Sequence, residues 1–527
     1  MNLHDCLTRA ATDHPEQVAF RCGAESISYA GLNEQARRLA SLFVANGVGR
    51  GDRVAVRLTP CLRSPLAVYA TLMAGAAMVP IDPMLPDSRL KVILKKGAIK
   101  GLLADQLSTQ MIDCLTSKEI PSLDTFVVGG SDDIALEGSY RWSDLESFEP
   151  LNDQAVTADD VAYVIFTSGS TGAPKGIVHT HASATSYARL SSQLYGVNTN
   201  DRIGNLAPLH FDMSTFGYFT SVFAAATTVL VKPGHGKLPA SLSSLIEQEK
   251  ITIWHSVPFA LRQLLHRGVL DKRDWSRLRW ILYGGEPMSP REVDALRRHA
   301  RNAWIGNVYG PAEVNQCTYY NVPPGSHGDA AILAGDTIPI GKTWDETQSL
   351  LVDENDVVIN GSGEGELLIH SSTMMRSYWD ASPNDRETFY VEQASGRRFY
   401  RTGDLVYRRD DGDLEFIGRM DRQVKMRGYR IELDEIERAL ETHPEVVEAA
   451  VFMPRDLEDP AEQQIYAAVI VHEDASLHLG EVLRQHVAER LPSYAVPEMI
   501  RIQTTFPRTT TGKIDRRSLA EDLNSHC

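Results

Sequence analysis

The sequence predicts an α/β protein: a large N-terminal part of mixed and parallel sheets with packed helices, followed by a small α+β part. Three observations predict it. The chain has 527 residues, too many for one hydrophobic core, so two or more domains are expected. Helical and strand-like segments alternate along most of its length, the pattern of a largely parallel sheet. Near residue 420 a turn-rich β segment, "VYRRDDGDLEFIGRMD", gives way to a different arrangement.

Taken in order, "SYAGLNEQARRLASLFVANGV" reads as a helix, because Leu32, Ala36, Leu39, Leu42 and Phe43 recur at helical spacing. "DRVAVRL" reads as a strand, "PLAVYATLMAGAA" as a helix and "MVPI" as a strand. The alternation returns in "TTVLVKP", "SLSSLIEQEK", "ITIWHSV", "ALRQLLHRGVL" and "LRWILYGG". After residue 420, "GYRIELDEIERALETHPEVVEAAVFM" reads as strand, helix and strand, with Leu433, Ile436 and Leu440 on one helix face. "QQIYAAVIVH" and "LGEVLRQHVAERLP" add a strand and a helix. The expected division is 1–420 and 421–527, the second part within the usual domain range.

The formal net charge of −16 argues against general nucleic-acid binding, which needs clustered Lys and Arg. The cysteines are scattered, with no C-x-x-C pair, so neither a zinc site nor a disulfide framework is indicated. The N-terminus lacks an apolar signal core, and no run approaches the ~18 apolar residues that span a membrane. A cytoplasmic protein without membrane attachment is expected.

The stretch "VAYVIFTSGSTGAPKGIVHTH" carries the chemistry of a phosphate loop. A buried-strand pattern leads into Thr167, Ser168, Gly169, Ser170, Thr171 and Gly172, and Lys175 follows. Glycines let consecutive N–H groups approach a ligand, hydroxyls add donors and the lysine adds charge. It is not a Walker loop, because Lys175 follows Pro174 and no glycine directly precedes it. By itself a flexible surface turn has the same composition. Three further motifs tip the balance. "NVYGPAEV" offers an aromatic (Tyr309), a tight turn at Gly310 and a carboxylate (Glu313). "YRTGDL" places Asp404 where it can accept ribose hydroxyls. "PRTTTGKIDR" sets Lys513 on a glycine-containing turn.

With these four in order, the chain resembles the adenylate-forming superfamily and, within it, stand-alone amino-acid adenylation enzymes, the aminoacyl-carrier-protein ligases. The likeness also runs through "LMAGAAMVPIDP", "LHFDMSTFG", "GEGELLIHS", "GRMDRQVKMRGYRIELDEIE" and "LPSYAVPE". The resemblance implies two half-reactions: a carboxylate attacks the α-phosphate of ATP, and a thiol then takes the acyl group from the adenylate. The first step brings two anions together, so charge neutralisation and positioning should carry most of the catalysis.

It also implies roles. The loop from Thr167 to Gly172, with Lys175, would hold the leaving pyrophosphate. Tyr309 would stack on adenine, with Gly285 and Gly310 in the same site. Glu313 would hold magnesium, Asp404 the ribose and Arg419 the ribose or phosphate. Lys513 would touch the substrate carboxylate and bridging oxygen, and His210 joins Lys513 and Glu313 among the catalytic candidates. Asp421 would be the hinge about which the small part rotates between half-reactions, and Gly428 would lie along the thiol tunnel. Without the resemblance, Asp421 reads as a solvated turn carboxylate.

Asp212 matches the aspartate that pairs with a substrate amino group, although a helix-capping Asp is the alternative. The implied pocket consists of Asp212, Met213, Phe216, His255, Leu282, Gly284, Val308, Gln316 and Cys317, with Lys513. Met213, Phe216 and Leu282 make an apolar wall; His255 and Gln316 are its polar exceptions. His255 with Leu282 is similar to pockets for serine and 2,3-diaminopropionate, since a neutral imidazole can hydrogen-bond a hydroxyl or amine; a core histidine bonded to backbone is the alternative. Proline, alanine and β-amino acids are the rival substrates, and an unpaired Gln316 amide in a proline pocket would cost ~1–3 kcal/mol.

Two departures from the family pattern stand out: Ala312 replaces a threonine, and Ser377 replaces a glycine. The chain ends fourteen residues after Lys513 with no carrier-protein site following. The expected partner is therefore a separate carrier protein whose phosphopantetheine supplies the thiol, docking through Arg427 and Arg430. The alternatives are an acyl-CoA synthetase using free coenzyme A and an inactive binding or regulatory homologue.

Overall fold

The computed structural model describes residues 1–128, 138–167, 174–325, 337–381, 388–453, 463–472, 478–508 and 513–524. The chain divides into two compact units. One comprises Met1–Pro83, Leu94–Phe166 and Gly176–Met420; the other comprises Met84–Ile93, Thr167–Lys175 and Asp421–Cys527.

In the larger unit the helix Tyr29–Ala45 forms where the apolar spacing places it. Ser28 caps it by accepting a hydrogen bond from Gly31 N–H at 3.2 Å, and Leu32, Ala36, Leu39, Leu42 and Phe43 are all fully buried. The strands Arg53–Arg57 and Ala77–Pro80 run parallel on either side of the helix Arg63–Met73, within an eight-stranded sheet. That sheet also holds Val161–Thr167 and Lys175–Thr180, the strands that flank the expected phosphate loop.

A nine-stranded sheet positions most of the site. Arg202–Asn205, Ile253–Ser256, Trp280–Gly284 and Trp304–Tyr309 lie side by side and parallel, and Thr318–Val322 then pairs antiparallel with Trp304–Tyr309. His255, Gly284, Val308 and Tyr309 thus fall at the carboxyl ends of adjacent parallel strands, the edge where open α/β sheets bind ligands. A five-stranded antiparallel sheet includes Arg398–Arg408 and Leu414–Arg419, whose register sets Asp404 opposite Arg419.

The smaller unit contains the hairpin Gln423–Met426 and Tyr429–Glu432, the helix Leu433–Glu441 and a three-stranded sheet of Val446–Phe452, Tyr466–Val471 and Met499–Gln503. Leu433, Ile436 and Leu440 face one apolar core with Val451, Val469 and Leu483, as the helical spacing requires. The hairpin turns on two residues, Arg427 (φ 54°) and Gly428 (φ 84°), both in the left-handed region. That backbone matches the right-handed strand twist, and Gly428 adopts it without steric cost.

Among the described residues five cysteines are free, and no helix is long and apolar enough to cross a membrane.

Candidate active site

Two groups of predicted residues come together in the larger unit. In the first, Asp404 is buried between the Tyr309 hydroxyl, which donates to Oδ2, and Arg419, whose Nη1 donates to Oδ1 at 2.7 Å. Arg419 Nη1 also donates to the Thr402 carbonyl at 2.7 Å, which fixes its direction. Burial, and then the neighbouring Asp404 charge, raise the Tyr309 pKa well above the ordinary phenol value, so its hydroxyl is a permanent donor. An ionised carboxylate has about four acceptor sites. With one donor on each oxygen, Asp404 keeps acceptor capacity for two sugar hydroxyls.

In the second group, Phe216, Leu282 and Val308 share one apolar cluster. His255 lies in register with Leu282, its ring 5.4 Å from that of Phe216 and nearly perpendicular to it. Gln316 Nε2 is 3.3 Å from His255 Nε2. Burial lowers the His255 pKa to about 3, so the imidazole is neutral near pH 7. The amide N–H then donates to Nε2 and the ring proton sits on Nδ1. His255 Nδ1 and Gln316 Oε1 are buried without a hydrogen-bond partner among the described residues. Turning the amide over reverses the roles but still leaves one donor and one acceptor. The backbone-bonded core histidine considered from sequence is not what forms.

Gly284 pairs with Val308, and a Cβ there would stand 2.3 Å from the Val308 carbonyl oxygen. Gly285 follows at the strand end, and Gly310 packs against the Asn315 carbonyl. Cys317 N–H donates to the Tyr309 carbonyl at 2.9 Å. This bond closes the segment 310–316 into a loop that joins the two groups and carries both Glu313 and Gln316.

Glu313 is fully buried, and Tyr378 donates to its Oε1 at 2.7 Å. Among the described residues no group of three or more His, Cys, Asp or Glu side chains could hold a metal. A single carboxylate nevertheless fits magnesium, which keeps waters and takes most of its other ligands from substrate phosphates.

Asp212 is half-buried and heads a short 3-10 turn; Met213 N–H donates to its Oδ1 at 2.8 Å. This bond to the next residue orients the carboxylate; the turn is capped at Phe211 with no side-chain cap bond, so the capping alternative is not what forms. The His210 Nε2 atom is 3.8 Å from Asp82 Oδ2; burial lowers the imidazole pKa, against the opposing effect of Asp82.

The remaining candidates are placed more simply. Thr167 ends one strand and Lys175 begins the next. Ser168, Gly169, Ser170, Thr171 and Gly172 lie outside the described residues. In the smaller unit, Asp421 Oδ1 accepts from Gln423 N–H at 3.1 Å, Gly428 forms the hairpin tip and Lys513 is exposed.

Two residues not anticipated from sequence brace the site. The His179 Nε2 atom is 2.9 Å from the Ala312 carbonyl, and the His179 ring stacks on Tyr163 at 4.8 Å. Tyr378 holds Glu313. His179 lies only four residues after Lys175, in the same stretch "KGIVHTH", which was its one available signal. The flanking Ser377 sits in a short strand paired with Val178, where no glycine is required. Ala312 packs against the cluster containing Ile177, Val314 and Met375.

Comparison with known proteins agrees with this fold. Residues 7–379 match the family model of AMP-binding enzymes, and residues 435–513 match the AMP-binding enzyme C-terminal domain. The chain is 30% identical over 521 residues to an L-proline–[L-prolyl-carrier protein] ligase of Pseudomonas fluorescens, covering 99% of both proteins. It is 32% identical over 523 residues to bacitracin synthase 3 of Bacillus licheniformis, spanning 98% of this chain and 8% of the synthase. Among solved structures, the amide bond synthetase McbA from Marinactinospora thermotolerans has a TM-score of 0.83 at 22% identity, covering 99% of this chain and 100% of that one. NpsA-ThdA, an artificially fused adenylation-PCP di-domain from Klebsiella oxytoca, has a TM-score of 0.77 at 21% identity, covering 95% and 93%. At these identities the two structures speak for the fold alone.

Proposed function

The chain belongs to the AMP-binding enzyme family, and we propose that it activates a small polar amino acid as an aminoacyl-adenylate, using ATP, and passes the acyl group to the phosphopantetheine thiol of a separate carrier protein in the cytoplasm. The full-length likeness to a carrier-protein ligase supports the reaction class. The observation that carries the substrate class is the His255–Gln316 pair, which leaves one buried donor and one buried acceptor. A serine hydroxyl, which both donates and accepts, can answer either one, and the amine of 2,3-diaminopropionate can also do so. A proline ring answers neither, leaving a desolvation cost of ~1–3 kcal/mol per group.

On this reading Asp404 holds the ribose, Arg419 fixes the Asp404 carboxylate, and the Tyr309 ring lies against adenine. Asp212 meets the substrate ammonium by a charge-assisted contact. The loop from Thr167 to Gly172 and Lys175 steady the departing pyrophosphate. Lys513 offsets charge developing between substrate carboxylate and α-phosphate. Glu313 would hold magnesium, which when bound neutralises phosphate charge. Asp421 serves as the hinge of the small part, and Gly428 lies on the path of the thiol.

The second reading is a proline ligase, favoured by the name of the Pseudomonas fluorescens relative. An ATP–pyrophosphate exchange panel separates the two. We expect serine or 2,3-diaminopropionate to exceed proline and alanine by about tenfold or more, the worth of one satisfied polar contact. Proline leading the panel would overturn the polar reading. Thioester formed with coenzyme A but with no carrier protein would overturn the choice of acceptor.

A further inference from the structure

The smaller unit contains a buried carboxylate with more hydrogen bonds than any ribose or metal role assigns to it. Glu437 lies on the helix Leu433–Glu441 with its side chain 11% exposed. Arg422 grips it with two bonds, Nη1 to Oε2 at 2.8 Å and Nη2 to Oε1 at 2.9 Å. Arg516 grips it with two more, Nε to Oε1 and Nη2 to Oε2, both at 2.9 Å. Val451 N–H adds a fifth at 2.7 Å. Burial by itself would raise the Glu437 pKa; the bonds from Arg422, Arg516 and Val451 prevail and lower it, so the group stays ionised.

The two arginines come from telling places. Arg422 directly follows Asp421, and Arg516 is three residues beyond Lys513. Arg422 also donates to the Val451 carbonyl at 2.7 Å and pairs with Asp434. Around Lys513 the chain is tied further: Arg508 and Ile514 form an antiparallel bridge, Asp515 N–H donates to the Pro507 carbonyl at 2.8 Å, and Arg508 donates to Glu448 at 2.6 Å. Asp515 then caps the helix Arg516–Asn524 by accepting from Ser518 N–H at 3.2 Å. Bidentate arginine–carboxylate pairs fix direction as well as distance, and here two of them converge on one group.

We propose that Glu437 is the positioning residue for Lys513. It ties the chain just after Asp421 and the chain just after Lys513 to one rigid point, so that the exposed lysine keeps a fixed place relative to the chain that enters the unit. The proposal rests on the reading of Lys513 as the adenylation lysine. Nothing in it requires Glu437 to touch substrate.

The test is a mutant cycle in ATP–pyrophosphate exchange with Glu437→Gln, Lys513→Ala and the double variant, repeated with Arg516→Lys in case Glu437→Gln folds poorly. Displacing a catalytic group by about 1 Å costs on the order of a hundredfold. Glu437→Gln should therefore lower kcat about ten- to a hundredfold, with KM for ATP and amino acid within about twofold. In the Lys513→Ala background Glu437→Gln should cost nothing further. Arg516→Lys, which keeps charge but loses the fork, should show a smaller loss of the same kind. An equal fractional loss with and without Lys513, or a loss confined to KM, overturns the proposal alone. A Lys513→Ala enzyme with wild-type exchange overturns both the lysine's role and the proposal.

Discussion

The two buried polar groups of the larger unit differ in one respect. Asp404 is answered on both oxygens by Tyr309 and Arg419, whereas His255 and Gln316 answer each other and leave a donor and an acceptor unmet among the described residues. A carboxylate held from both sides keeps its direction before any ligand arrives, which on the proposed reading suits the part of the reaction that never varies, a nucleotide. An incomplete network costs free energy until a matching group enters, which suits the part that must be chosen. On the proposed reading, the asymmetry between a made and an unmade buried hydrogen bond would turn the second arrangement into discrimination.

The largest test strikes the completed network. On the proposed reading, Asp404→Ala removes the ribose contact and strands the Tyr309 hydroxyl and the Arg419 guanidinium. We expect kcat/KM for ATP in adenylation to fall about a hundredfold while the ranking of amino acids is unchanged. A loss below about threefold, or an altered ranking, would break the contrast between the two groups.

A smaller effect should follow from erasing the incomplete pair. His255→Leu combined with Gln316→Leu removes both unmet groups together. Preference for serine over alanine in the exchange panel should fall about tenfold, with folding stability unchanged or higher. Gln316→Leu alone should be worse for stability, by ~1–3 kcal/mol, because it leaves the imidazole without its partner. A double variant that keeps full serine preference would show that the pair does not read the side chain.

The smallest effect is the pH dependence of stability. The folded-state pKa of His255 is about 3 against an unfolded value of 6.5, so the unfolded chain binds the extra proton between those values. The stability that neutral His255 contributes is complete above pH 6.5 and is lost as pH falls toward 3. Between pH 7 and 6 the loss is about 0.7 kcal/mol. Urea unfolding at the two pH values should show the double leucine variant losing that much less than the parent chain. Identical slopes would mean that the imidazole is not held neutral.

Much of the fold was legible because it is periodic. The helix Tyr29–Ala45 announces itself through the spacing of Leu32, Ala36, Leu39, Leu42 and Phe43, and the helix Leu433–Glu441 through Leu433, Ile436 and Leu440, all of them buried. The motifs read as nucleotide-binding stood out as short runs. What could not be read were polar pairings across long separations. His255 and Gln316 are 61 residues apart, and Glu437 and Arg516 are 79 apart. No spacing rule marks such partners, since each depends on which strands and helices the fold sets side by side. The bond from Met213 N–H to Asp212 could not be read either, because only the local turn decides it.

Gly284 has a consequence for how this enzyme could change its taste. Any side chain there would collide with backbone, the Val308 carbonyl, which cannot swing aside as a side-chain tip can. On the proposed reading, mutational drift toward a new substrate is therefore steered away from residue 284 and onto positions such as His255, Leu282 and Gln316. A saturation library spent on residue 284 would return mostly misfolded clones, while a compact one over those three would sample most of the reachable diversity.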